Sequence, residues 1–181
     1  MKKVLLVLGG LVALAALLVA VVLVVGFLQP VEHVASSRVA LARTPDEVFA
    51  RVADFATWPT WNGAMNEVAR EPDADGKPRW RFEGKYGSMP MIVEASEPPL
   101  RLVTRIPADA NLGFSGTWTY ALAPGAEGGT TVTVTENGRV ESALFRGVGA
   151  LFLGPHDSLN AFLSDLGKSF GQDVEPEEVD A

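Results

Sequence analysis

Apolar residues run unbroken from Val4 to Leu28, 25 positions preceded by Met1, Lys2 and Lys3. At 1.5 Å per residue a helix of that length reaches roughly 37 Å, enough to cross a hydrocarbon core of about 30 Å with some tilt. The two lysines before the run and Glu32 after it orient such a span with its N-terminus in the cytoplasm and everything beyond Pro30 on the other side. A cleaved secretory signal is the competing reading, but its apolar region is typically about 7 to 15 residues and ends in a small-x-small site. The run here is longer, and the sites on offer are Val24-Val25-Gly26 and Ala35-Ser36-Ser37. Residues 1–30 are therefore read as a single-pass anchor, or an uncleaved signal, that holds the following domain on the extracytoplasmic face of a membrane.

Past Pro30 the pattern changes. His33 to Leu41 is β-rich, and Thr44-Pro45-Asp46-Glu47 then supplies a helix start: Thr44 as N-cap, Pro45 at the first helical position, Glu47 three residues after the cap. Val48, Phe49, Val52 and Phe55 repeat at helical spacing until Trp58-Pro59-Thr60-Trp61-Asn62 breaks the helix into a second short helix or turn. From Ala64 to Val140 the period is two. Turn signals at Asp73–Gly76, Tyr86-Gly87, Pro98-Pro99, Ala108–Asn111 and Pro124–Gly129 divide this stretch into about six strands, and such short connections favour an antiparallel meander. A last helical region, about Ser142 to Gly171, is interrupted near Gly154-Pro155. After the break Leu159, Phe162, Leu163, Leu166 and Phe170 build one wide apolar face. Residues 172–181 carry Asp173, Glu175, Glu177, Glu178 and Asp180 with no aromatic residue, the composition of a disordered tail.

Composition narrows the function classes. The 153 residues beyond the apolar run suffice for one domain with a real core, placed at residues 31–171. Without Lys2 and Lys3 the chain has 13 basic and 22 acidic residues, a balance of −9 that argues against nucleic acid and against docking through charge on an anionic lipid surface. With no cysteine, disulfides, thiolate metal sites, a thiol nucleophile and a lipidated cysteine are excluded. Two histidines, His33 and His156, without metal-ligand spacing give no basis for a metal, and no cofactor motif is present.

The order of one strand, two short helices, about six strands and one long helix resembles the START-like (SRPBCC, polyketide cyclase/dehydrase-like) superfamily. The segments that carry the likeness are Val39–Phe49, Asp54–Asn62 and Gly116–Tyr120. The resemblance implies an α+β helix-grip fold, in which a curved antiparallel sheet of about seven strands wraps a long C-terminal helix and leaves an apolar cavity between them. It also implies a hydrophobic small molecule or lipid as partner, since members bind lipids, sterols, polyketides or hormones and only some are enzymes. Trp80, Phe82, Met89, Met91, Phe114, Trp118 and Tyr120 from the strands, with Leu159, Phe162 and Leu163 from the helix, are the candidates to line such a pocket, although core packing accounts for each one singly.

Two charged positions carry the candidate chemistry. Glu136 follows Val132 and Val134 in phase, so alternation aims its carboxylate inward as a possible acid or base, while an ion pair with Arg105, Arg101 or Arg139 is the structural alternative. Arg105, in phase with Arg101 and Val103, is a candidate clamp for a ligand carboxylate at a cavity mouth. Trp58–Asn62 reads as a packing corner or a gate, and His156-Asp157 as a helix start or a dyad. His33 is read as interfacial. Three functions fit this reading: a non-enzymatic lipid-binding domain, an enzyme of cyclase, dehydratase or hydrolase type working through Glu136, and a ligand-free structural protein of the envelope. Oligomeric state is not specified by the sequence.

Overall fold

A computed structural model describes residues 2–85, 87–110 and 112–180; Tyr86 and Asn111, two of the turn positions above, and Ala181 of the tail lie outside the described residues. Helix α1 (Lys2–Leu28) contains a stretch, Val7–Leu28, long and apolar enough to cross a membrane. Strand β1 (Glu32–Leu41) follows, then α2 (Pro45–Ala53), a 3-10 helix (Phe55–Thr60) and six successive strands: β2 (Met65–Ala74), β3 (Lys77–Gly84), β4 (Gly87–Glu97), β5 (Arg101–Ile106), β6 (Phe114–Pro124) and β7 (Thr130–Val140). Helices α3 (Ala143–Phe152) and α4 (Asp157–Ser169) complete the domain, and β8 (Glu177–Val179) lies in the tail. The fold is α+β, one open antiparallel sheet with helices against it.

The local signals explain these boundaries. The capping box forms at α2: the Thr44 side chain accepts from the Glu47 amide, and Glu47 Oε2 accepts from the Thr44 amide at 2.9 Å. Pro59 sits inside the 3-10 helix, whose tighter winding lets Trp58 turn inward and donate its indole N–H to Val52 O at 3.1 Å. Between α3 and α4, Asp157 Oδ2 accepts the Gly154 amide at 2.9 Å, and Asp157 opens α4.

Strand order is β2-β3-β4-β5-β6-β7-β1-β8. The meander β2 to β7 therefore pairs neighbour with neighbour, whereas β1, made first, enters beside β7, the last strand of the meander, from Glu32 opposite Arg139 to Leu41 opposite Thr130. The connection from β1 to β2 must cross the width of the sheet, and α2 with the 3-10 helix fills that crossing. On the inner face lie Phe82, Met89, Met91, Leu102, Tyr120, Leu122, Val132 and Val134, covered by Val48, Val52, Phe55 and Trp58 and by Leu159, Phe162, Leu163 and Leu166 of α4.

One expectation is corrected outright. The tail is not disordered throughout, because Glu177–Val179 pairs with Ser36–Arg38 as an eighth strand. An unpaired β1 edge offers backbone partners that composition cannot reveal. Val174 packs on the core, Gln172 Oε1 accepts from the Ala42 amide, and Arg38 Nε reaches Glu177 Oε2 at 2.9 Å. Glu177 thus meets a cation on the strand it joins.

Candidate functional site

The space between the sheet and α4, where a cavity was expected, is occupied along the body of the helix by a ring cluster. Trp58 touches Phe55, Trp61, Phe82, Tyr120 and Phe162 at centroid distances of 5.2 to 6.3 Å, most of them edge-on. Phe82, Met89, Met91, Tyr120, Leu159, Phe162 and Leu163 are all buried in this packing. Trp80 is partly buried at the margin, edge-on to Phe55 with the Arg70 guanidinium over its ring. Phe114 and Trp118 differ from the rest: they are partly exposed, on β6 toward the N-terminal end of α4.

At that end the polar groups gather. Glu136 shares the inner face with Val132 and Val134, and its side chain is 14% exposed. The Trp118 indole donates to Glu136 Oε2 at 3.1 Å, Ser158 Oγ on the first turn of α4 donates to the same oxygen at 3.5 Å, and His33 Nε2 lies 3.2 Å from Oε1. The ladder explains the convergence: Trp118 stands opposite Glu136, and His33 stands opposite Gly138. Glycine at 138 leaves room for the imidazole to lie here, since a Cβ would come within 2.2 Å of it. Behind the cluster, Tyr120 is buried and its phenol is pushed well above the ordinary range, first by loss of solvent and also by the charge of Glu136. One strand over, Ser37 Oγ lies 3.3 Å from His156 Nδ1 and ties the start of α4 to β1.

Arg105 is not part of this arrangement. In β5 the inner positions belong to Leu102, Thr104 and Ile106, and Arg105 lies on the outer face, its Nε 2.6 Å from Glu94 Oε1 beside Lys77. The two cations hold the Glu94 carboxyl below its usual range. Arg101 pairs with Glu97, and Arg139 pairs with Glu32 and Glu141. None of the three arginines expected as partner of Glu136 therefore reaches it; His33 takes that place. His33 and Ser158 were missed by sequence reasoning, and the available signal was weak: His33 is in phase with buried Ala35 and Ser37, while Ser158 follows Pro155 by three positions. Among the described residues, no group of three or more His, Asp or Glu is arranged to hold a metal ion.

The arrangement can present a carboxylate acceptor and a cationic imidazole to a group entering at the end of α4. The hydrogen bond to Glu136 raises the His33 pKa above 6.5, outweighing the opposing effect of burial. A raised folded-state value means that the pair contributes to stability fully below about pH 6.5 and that this contribution is lost as pH rises through the folded-state pKa. With His33 about one-third exposed, the effect is small in energy. In a titration of the two histidine rings by NMR, His33 is expected above 6.5 and to move back toward it in Glu136→Gln. A His33 value at or below 6.5 in the unaltered protein would contradict the pairing.

Comparison with known proteins follows the fold. A family model described as polyketide cyclase / dehydrase and lipid transport matches residues 32–156. Among solved structures, the Zhui aromatase/cyclase from Streptomyces sp. R1128 superposes with a TM-score of 0.65 at 13% identity, covering 77% of this chain and 94% of that one. A START superfamily protein from Mycobacterium smegmatis gives 0.57 at 16% identity over 76% of this chain and 99% of its own. Norcoclaurine synthase from Thalictrum flavum gives 0.58 at 14% identity, with 77% and 87% covered. At these identities the likeness is one of fold. No curated protein matches the sequence.

Proposed function

Because the chain belongs to the polyketide cyclase / dehydrase and lipid transport family, we propose that it is a membrane-tethered domain that binds a lipid-like molecule at the α4 end of its grip and does not transform it. The observation that carries this reading is the convergence of Glu136, His33, Trp118 and Ser158 beside the partly exposed rings of Phe114 and Trp118. The apolar part of the ligand lies on those rings. Its head is a donor such as a hydroxyl or ammonium, received by Glu136, because the arginine that would have clamped a carboxylate is on the far face of the sheet. A carboxylate already held by three donors is suited to recognition, and binding needs no further group.

Tethering by α1 is supported by its packing on α3, described below, which would be lost if residues 1–28 were removed. The lysines at its start support an extracytoplasmic domain. Native mass spectrometry of the full chain purified from membranes tests the reading. A co-purifying mass in the lipid range is expected, and its occupancy is expected to fall in Glu136→Gln. Protein that carries no adduct, and takes none up from a total lipid extract, would overturn it.

A further inference from the structure

Helix α3 has an unusual surface. Leu144, Phe145, Val148, Leu151 and Phe152 are all exposed, Phe152 to 72%, so nearly every large apolar side chain of the helix faces outward. A contiguous apolar patch of this kind needs a partner. The opposite side of α3 is pressed onto α1. A Cβ on Gly147 would fall 2.0 Å from Val22 O, and one on Gly26 would fall 1.7 Å from Ala143 O, so the two backbones touch where Ala143 and Gly147 meet Val22 and Gly26. Small residues four apart are how apolar helices approach this closely inside a bilayer.

The contact also fixes a depth. Val22 and Gly26 precede Leu28, the end of the apolar run, by six and two residues, roughly 9 and 3 Å along the helix. With Ala143 at Gly26 and Gly147 at Val22, α3 runs antiparallel to α1 and descends into the same leaflet from its outer boundary. Charge agrees. The domain is acidic, yet α3 carries one charged residue, Arg146, and three of its N–H bonds point to backbone carbonyls: Nε to Gly26 O at 2.9 Å, and Nη1 to Val140 O and Glu141 O at 2.8 and 2.9 Å. The guanidinium thus caps the end of α1, where bare carbonyls would be costly near hydrocarbon.

Resting on the reading of α1 as a membrane span, we propose that α3 is a second membrane element that lies in the same leaflet, with Phe145, Val148 and Phe152 in the acyl region. The occupant of its apolar face is the bilayer. Phe145 also packs over Gly113 at the start of β6, and Leu153–Pro155 leads straight into α4 and Ser158. The mouth of the grip therefore opens toward lipid, and a ligand passes between leaflet and Glu136 without crossing water.

The absence of cysteine makes the test direct. Single variants Val148→Cys and Phe152→Cys on α3, Leu14→Cys in α1 and Ala123→Cys at the far end of β6 are labelled with bimane in the full chain. Each is reconstituted in phosphatidylcholine vesicles with or without bromine on the acyl chains, placed at depths from the glycerol to the chain ends. Emission from positions 148 and 152 is expected to fall by about twofold or more with brominated lipid, with no change at 123, as befits a helix lying in the leaflet. Quenching at 14 without quenching at 148 and 152 would overturn the placement of α3 while leaving the span intact. A 148 signal that depends on protein density and not on bromine would assign the face to a second copy, which also overturns it. Loss of quenching at 14 as well would remove the span, and with it both readings.

Discussion

Trp58→Ala is expected to lower stability by about 3–5 kcal/mol, among the largest single effects available in this chain. The ring is 3% exposed and stands at the centre of the aromatic cluster, in contact with α4 through Phe162, with the sheet through Phe82 and Tyr120, and with its own corner through Phe55 and Trp61. Its removal also leaves Val52 O, at the end of α2, without the indole donor. Urea titration of the detergent-solubilised full chain measures the loss. A drop below about 1 kcal/mol, the scale of a single hydrogen bond, would show that the corner is an ornament on the sheet and not the block that fills it.

For Leu163→Ala the expected loss is about 2–5 kcal/mol. Leu163 is fully buried, flanked on α4 by Leu159, Phe162 and Leu166, which are also buried against the sheet. In the same titration Leu151→Ala on exposed α3 should stay within about 0.5 kcal/mol, the range of ordinary surface changes. Equal effects at the two positions would mean that the apolar face of α4 has been assigned to the wrong side.

These two helices also show what could be read from the chain. Signals carried within a few residues were legible: the capping box at Thr44, the break at Gly154-Pro155 and the apolar spacing from Leu159 to Leu166 sit where local rules put them, whereas α2 ends at Ala53, ahead of Trp58-Pro59, which lies inside the 3-10 helix. The inward direction of Glu136 was also legible, because it follows Val132 and Val134 by steps of two. Its partner was not. His33 lies 103 residues away, and no local pattern tells β1 to lie beside β7 in that register. Arg105 was misplaced for a different reason. Alternation divides β5 into two sets but both contain a buried aliphatic residue, Leu102 in one and Val103 in the other, so the pattern alone does not say which set faces inward. Composition misled at the tail, where the deciding fact was a free strand edge elsewhere.

The pairing of β1 with β7 bears on how the chain is made. Glu32 emerges early and meets Arg139 only after about a hundred more residues have been added. At synthesis rates of about 5 to 20 residues per second, that leaves β1 waiting on the order of 5 to 20 s beside an apolar helix, with both backbone edges unpaired. A ladder closed over so long a separation forms slowly, and an unpaired β-rich segment is a template for another chain in the interval. Biogenesis of this protein should therefore depend on something that shields residues 32–41 until β7 is complete.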